Sequence, residues 1–175
     1  MAVDPTRTLR GALAGATAAA VWAAQQPLDR RFFGVQYDDA DLLGRFVTRS
    51  RAAYPVGVAI HLANGAIFGA VYANVRSSIP GPPALRGPLA GLAEHLATWP
   101  GTLAIARVQP QIPTLWGSGR AFAQATWRHV LFGAVLGELE RRLNPPETEP
   151  GVVDATTAAS NGHGSAEHLV SISPN

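Results

Sequence analysis

The charged residues of this chain are crowded into a few short segments, and that distribution constrains the fold more than any single motif. They gather at 27–55, 76–86, 106–120 and the C-terminal end, leaving four stretches nearly free of charge: about 9–26, 56–75, 87–106 and 120–140. Each approaches or meets the roughly 20 residues a helix needs to cross about 30 Å of hydrocarbon. Of the 175 residues, 47% are apolar and 15% charged, poor in charge for a soluble domain. The pattern predicts an all-α polytopic membrane protein. Four transmembrane helices form two tandem helical hairpins in a domain over 1–143, followed by a disordered tail over 144–175.

The first stretch is the weakest. Its uninterrupted core, Gly11 to Ala24, is short and mostly alanine, so it leans on neighbouring helices. Arg7 and Arg10 ahead of it also suit a secretory signal peptide, and the whole chain could alternatively be a soluble helical bundle. Gly57, Gly65, Gly69, Gly133 and Gly137 argue against the soluble reading, because glycine costs helix stability in water and is ordinary in membrane helices. Pro27 is expected to end the first helix. From Asp38, DDADLLGRFVTRS reads as a short amphipathic helix on the bilayer or capping the bundle, with Leu42, Leu43, Phe46 and Val47 on its apolar side. Pro88 is expected in the first turn of the third helix, and Pro100–Gly101 should kink or break that helix. The tail is rich in Pro, Ser, Thr, Ala and Gly without sustained periodicity, which predicts disorder.

Two pairs of segments match in order. GALAG at Gly11–Gly15 resembles GPLAG at Gly87–Gly91, and HLANGAIFGA from His61 resembles HVLFGAVLGE from His129, at offsets of 76 and 68 residues. Repeats over 9–75 and 87–140 would make the chain a duplicated two-helix unit, with both halves entering the membrane from the same side. Four G-x-x-x-G pairs result: Gly11 with Gly15, Gly65 with Gly69, Gly87 with Gly91, and Gly133 with Gly137. Residues four apart share a helix face, and glycines at that spacing let backbones approach closely. His61 and His129 continue two of these stripes.

Depth along the spans places His61, Glu94, His95, Arg128 and His129 in one polar layer, with Asn64 nearby. An ionisable group there is expensive unless paired, and marks a functional site. Glu94 with Arg128 is the expected ion pair. The layer supports several readings. The histidines and the ion pair could simply hold the bundle together, or the layer could pass protons, ions or a small solute. His61 and His129 could hold a haem as axial ligands, though partners for its propionates are few. A metal–carboxylate centre on Glu94 is disfavoured, since such bundles use several inward carboxylates and Glu94 and His95 lie about 100° apart on the helix. No catalytic residue is assigned, and metal and cofactor stay open.

Thiolate sites and disulfides are excluded by the absence of cysteine. No H-E-x-x-H, phosphate-loop or nucleophile-elbow motif occurs, and W-G-S-G at Trp116–Gly119 lacks the spacing of an elbow. A net charge of +2 without a basic face gives no support to nucleic-acid binding. Arginine supplies every basic side chain apart from histidine. Arg7, Arg10, Arg76, Arg86, Arg141 and Arg142 fall on one side of the four-span arrangement and Arg30, Arg31, Arg45, Arg49, Arg51, Arg107 and Arg120 on the other. The split leaves orientation close to balanced, leaning toward cytoplasmic termini. In its glycine-punctuated helices and paired histidines the chain resembles small bacterial inner-membrane proteins, a resemblance that implies location and no activity. The expectation is a structural or accessory subunit whose partners are the bilayer and other membrane helices or a second copy. A small transporter or proton- or ion-conducting protein is the alternative.

Overall fold

The computed structural model describes residues 4–109 and 112–145, and its regular elements are helices throughout. Four long helices, α1 (Pro5–Phe33), α3 (Ala53–Val75), α4 (Pro83–Thr98) and α6 (Gly119–Leu143), are joined by the shorter α2 (Asp39–Val47) and α5 (Thr102–Val108). Asp4 caps α1 by accepting from the backbone N–H groups of Thr6 and Arg7. Asp38 and Ser118 serve α2 and α6 in the same way, each satisfying N–H groups that a helix start leaves open.

Small residues set the packing of α1 on α3. A Cβ added to Gly65 would sit 2.7 Å from the Gly15 carbonyl oxygen and 2.6 Å from the Ala19 methyl, and one on Gly69 would sit 2.8 Å from the Gly15 Cα. Gly11 abuts Gly69 and Gly15 abuts Gly65, so the helices run antiparallel with their backbones in contact. The second seam joins α4 to α6. A Cβ on Gly133 would meet the Gly87 carbonyl carbon at 2.7 Å, and one on Gly87 would meet the Gly137 Cα at 2.8 Å.

α6 also lies antiparallel along α1, with Asp29 bound to Arg128 and Arg10 reaching the Leu143 carbonyl. The order across the bundle is therefore α3, α1, α6, α4. Extensive contact joins each successive pair in that order, whereas α3 and α4 share little contact. Trp22, Tyr72, Phe132 and Leu136 form the main core with Ala14, Ala18 and Ala19.

Only one helix among the described residues, Ala53–Ser78 with its terminal 3₁₀ turn, is long and apolar enough to cross a membrane by length and composition. α4 has 16 residues, about 24 Å at 1.5 Å per residue. α1 and α6 carry Asp29, Arg128 and Glu140 among their buried residues.

Several sequence expectations change. α1 does not stop at Pro27; it continues to Phe33 and ends at Gly34 in the left-handed region, φ 74°. Proline removes one backbone hydrogen bond, but Gln25, Gln26 and Asp29 on either side are held by hydrogen bonds to other parts of the chain or to each other. α4 begins at Pro83, which puts Pro88 inside the helix rather than in its first turn. The expected third span is two helices, parted by a 3₁₀ turn at Trp99–Gly101, where Pro100 and Gly101 were expected to act.

In α2 the buried residues are Ala40, Leu42 and Gly44, while Phe46 and Val47 face outward. The reason is another close helix crossing. A Cβ on Gly57 would meet the Ala40 carbonyl carbon at 2.6 Å, and one on Gly44 would meet the Gly57 nitrogen at 3.0 Å. At the chain's other end Asn144 belongs to the fold. It is buried, and its amide donates to the Arg7 carbonyl and the Glu140 carboxylate. The remainder of the expected tail, 146–175, lies outside the described residues.

Candidate functional site

Two polar clusters meet at Trp22. One is built on Arg128, which is fully buried. Its Nε and Nη2 donate to the two oxygens of Asp29 at 2.6 and 2.7 Å, and its Nη1 donates to Asp39 Oδ2 at 2.5 Å. The Tyr37 ring covers the guanidinium, 4.4 Å from its centroid to Cζ. Asp29 also accepts from the Gln25 and Gln124 amides at 2.6 and 2.7 Å. One guanidinium between two carboxylates leaves a formal excess of one negative charge, which these amides and the Trp22 Nε1–H, 3.0 Å from Asp39 Oδ2, solvate. Burial, with Asp39 nearby, pushes the Tyr37 hydroxyl well above the usual tyrosine range.

This arrangement replaces the expected Glu94–Arg128 pair. Arg128 lies on the α6 face turned to α1, where Asp29 offers the two-pronged geometry a guanidinium fits best. Glu94 pairs instead with His129, its Oε2 lying 2.7 Å from Nε2.

The second cluster contains the other sequence-derived residues. His129 Nδ1 lies 2.7 Å from the Ala125 carbonyl oxygen, so both its ring nitrogens face oxygens. The carbonyl can only accept, so Nδ1 carries a hydrogen. A proton between Nε2 and Glu94 would make that contact a hydrogen bond.

His95 packs its ring 4.8 Å from that of His129. Its Nε2 lies 3.1 Å from the Thr126 hydroxyl, which donates to the Phe122 carbonyl. The hydroxyl oxygen is thus the acceptor and His95 Nε2 the donor. Adjacent residues of α4 therefore grip one histidine of α6, Glu94 by hydrogen bonding and His95 by ring contact.

His61 is 8% exposed, and its Nε2 has no hydrogen-bond partner. Together with Trp22, Glu94 and His129 it borders two cavities, of about 140 and 330 Å³. Asn64 is exposed and lines the smaller one. The smaller is lined from α1, α3, α4 and α6, and the larger extends from His61 and α4 toward α2, α5 and Leu115; together they form a cleft beside the sparse α3–α4 contact. The first glycine stripe, His61, Gly65 and Gly69, is buried; in the second, Gly133 is buried and His129 and Gly137 are partly exposed.

The geometry does not suit a haem between His61 and His129. The Trp22 indole touches both imidazoles, at centroid distances of 5.2 and 4.5 Å, and His129 has committed both nitrogens. Among the described residues no three His, Asp or Glu side chains converge as a metal site. Asp29, Asp39, Tyr37 and Gln124 are the site residues that sequence reasoning missed. No family model, curated protein or solved structure matches this chain.

Proposed function

We propose that this chain is a multi-pass membrane protein in which α1, α3, α4 and α6 form the embedded bundle, and that its α3–α4 cleft exchanges protons, alone or with a small solute. The observation carrying this reading is that His129 Nε2 and Glu94 Oε2 lie 2.7 Å apart on the cleft wall, close to His61 with its unpartnered nitrogen. An ionisable pair at the depth of a helix bundle is a functional site by default, and here Glu94 is left free of the buried arginine. Arg128, tied to Asp29 and Asp39, serves as a structural lock.

The glycine seams support membrane insertion, since backbone contact and van der Waals packing supply helix association where hydrophobic burial offers no drive. The matching seams also support the reading of the chain as a duplicated hairpin. Both termini are assigned to the cytoplasm on the first basic pair, Arg7 and Arg10, just ahead of α1's apolar stretch.

The test is proton flux in vesicles holding the full chain and a trapped pH dye, under an imposed pH gradient. Wild type should carry flux that falls at least tenfold in Glu94→Gln, with helicity unchanged. Vesicles as tight as protein-free ones, or undiminished flux in the variant, would refute proton exchange. The accessory-subunit reading has its own support in the open α3–α4 side, which could receive a helix of another protein or of a second copy. Tight vesicles, together with a stable complex lost on blocking the cleft rim with Asn64→Trp, are its signature.

A further inference from the structure

We propose that the α3–α4 cleft binds an uncharged, lipid-soluble amphiphile whose planar head carries carbonyl or hydroxyl groups, the chemistry of a quinone or quinol. The assignment rests on the membrane reading above and names what occupies the same cleft.

Its first support is His61. More than nine-tenths of this residue is buried, yet its Nε2 has no partner within the protein, a state that costs on the order of 1–3 kcal/mol unless a bound group answers it. Both cavities include it in their walls. A carbonyl or hydroxyl satisfies this nitrogen, the hydroxyl in either tautomer.

The second support is the contrast between the two chambers. Around the smaller, Asn64, Phe68 and Phe132 join the shared residues, giving aromatic walls and polar groups at the rim. The larger adds an apolar wall of Leu42, Leu43, Ile105 and Leu115, with Asp39, already bound by Arg128 and Trp22, on its border. A ring seated in the first and an apolar body in the second match these walls, as a ligand site with few placed polar groups requires.

Charge supplies the third. Glu94 is paired with His129, and Arg128 with Asp29 and Asp39. The charged side chains on the cleft wall thus have partners within the protein, which favours a neutral head. Contact between α3 and α4 is sparse, and in a bilayer the gap between them would be the route a lipid-soluble molecule takes.

The experiment titrates decyl-substituted benzoquinone against the full chain in lipid nanodiscs, reading saturable quenching of tryptophan emission. Wild type should saturate. His61→Leu should weaken binding at least tenfold, and Asn64→Leu serves as a second variant should the first fail to fold. Arg141→Ala, altering only a surface pair with Glu138, should bind within twofold of wild type. Absence of saturation in wild type, or equal affinity in both cleft variants, overturns the assignment. Vesicle proton flux measured without quinone keeps the two readings apart: flux without binding removes the ligand alone, and binding without flux removes proton exchange alone.

Discussion

Replacing Gly65 with alanine adds one methyl at the centre of the α1–α3 seam, and the structure sets the size of the effect. The new Cβ would lie 2.7 Å from the Gly15 oxygen and 2.6 Å from the Ala19 methyl. Ordinary contact begins near 3.4 Å, so the helices must part by roughly 0.7 Å, a gap that forfeits about a third of each atom–atom attraction across the seam. For about forty such pairs, comparable to those of one buried leucine, at about 0.15 kcal/mol each, the loss is about 2 kcal/mol. Alanine recovers up to about 1 kcal/mol through its helix propensity, leaving a net destabilisation of about 1–2 kcal/mol. Gly119→Ala provides the control. It has no heavy atom within 4 Å of the added methyl, so at this first position of α6 the same substitution should leave stability unchanged or slightly raised. The assay is reversible unfolding in mixed micelles followed by helix content. A Gly65→Ala protein as stable as wild type, or a Gly119→Ala protein equally destabilised, would refute the backbone-contact account.

Arg128→Met strands Asp29 and Asp39 in a buried site and should cost about 3–5 kcal/mol by the same assay; a loss under 1 kcal/mol would show that water reaches the carboxylates. Tyr37 has a folded-state pKa raised above its ordinary value of about 10, so the unfolded form ionises first and stability should fall as pH rises beyond about 10. Tyr37→Phe should flatten that alkaline limb, and an unchanged limb would assign it to other groups. Asn144→Ala removes the amide's bonds to Arg7 and Glu140 and should cost about 1–2 kcal/mol, read as a lower unfolding midpoint.

Helix positions were legible because the period of small residues marks a helix as clearly as the period of large ones. The spacing of four that links His61, Gly65 and Gly69 lies on the buried face of α3. The Arg128 pairing was not legible, since it joins residues 99 apart in sequence and periodicity reports on one helix at a time. A signal was nevertheless present in α1. Gly11, Gly15, Ala18, Trp22, Gln26 and Asp29 follow one helical stripe, and all are buried. Following that stripe through Pro27, instead of stopping there, places Asp29 on the packed face and exposes its need for a cation. The α2 face differs from the expected apolar side for a related reason: the missing side chain of Gly44 is what admits α3.

The locked and open sides of the bundle follow from the same residues if the hairpins are duplicates. Exchanging the hairpins carries α1 to α4 and α3 to α6, so the α1–α6 interface should recur between α4 and α3. At the offsets of the matched segments, Asp29 corresponds to Ile105 and Arg128 to Ile60. The ionic pair that joins one interface is thus two isoleucines at the other. Moreover, the break after Thr98 carries Ile105 onto the separate α5. Ala19 corresponds in turn to His95, which replaces a small packing residue on α1 with the imidazole lying against His129. For duplicated hairpins, the first difference would remove the fastening between α3 and α4, and the second would place polar chemistry at the edge of the gap. On this reading the cleft is where the second copy of an inherited interface was relinquished, and its residues are free to be selected for a ligand or a proton instead of for packing.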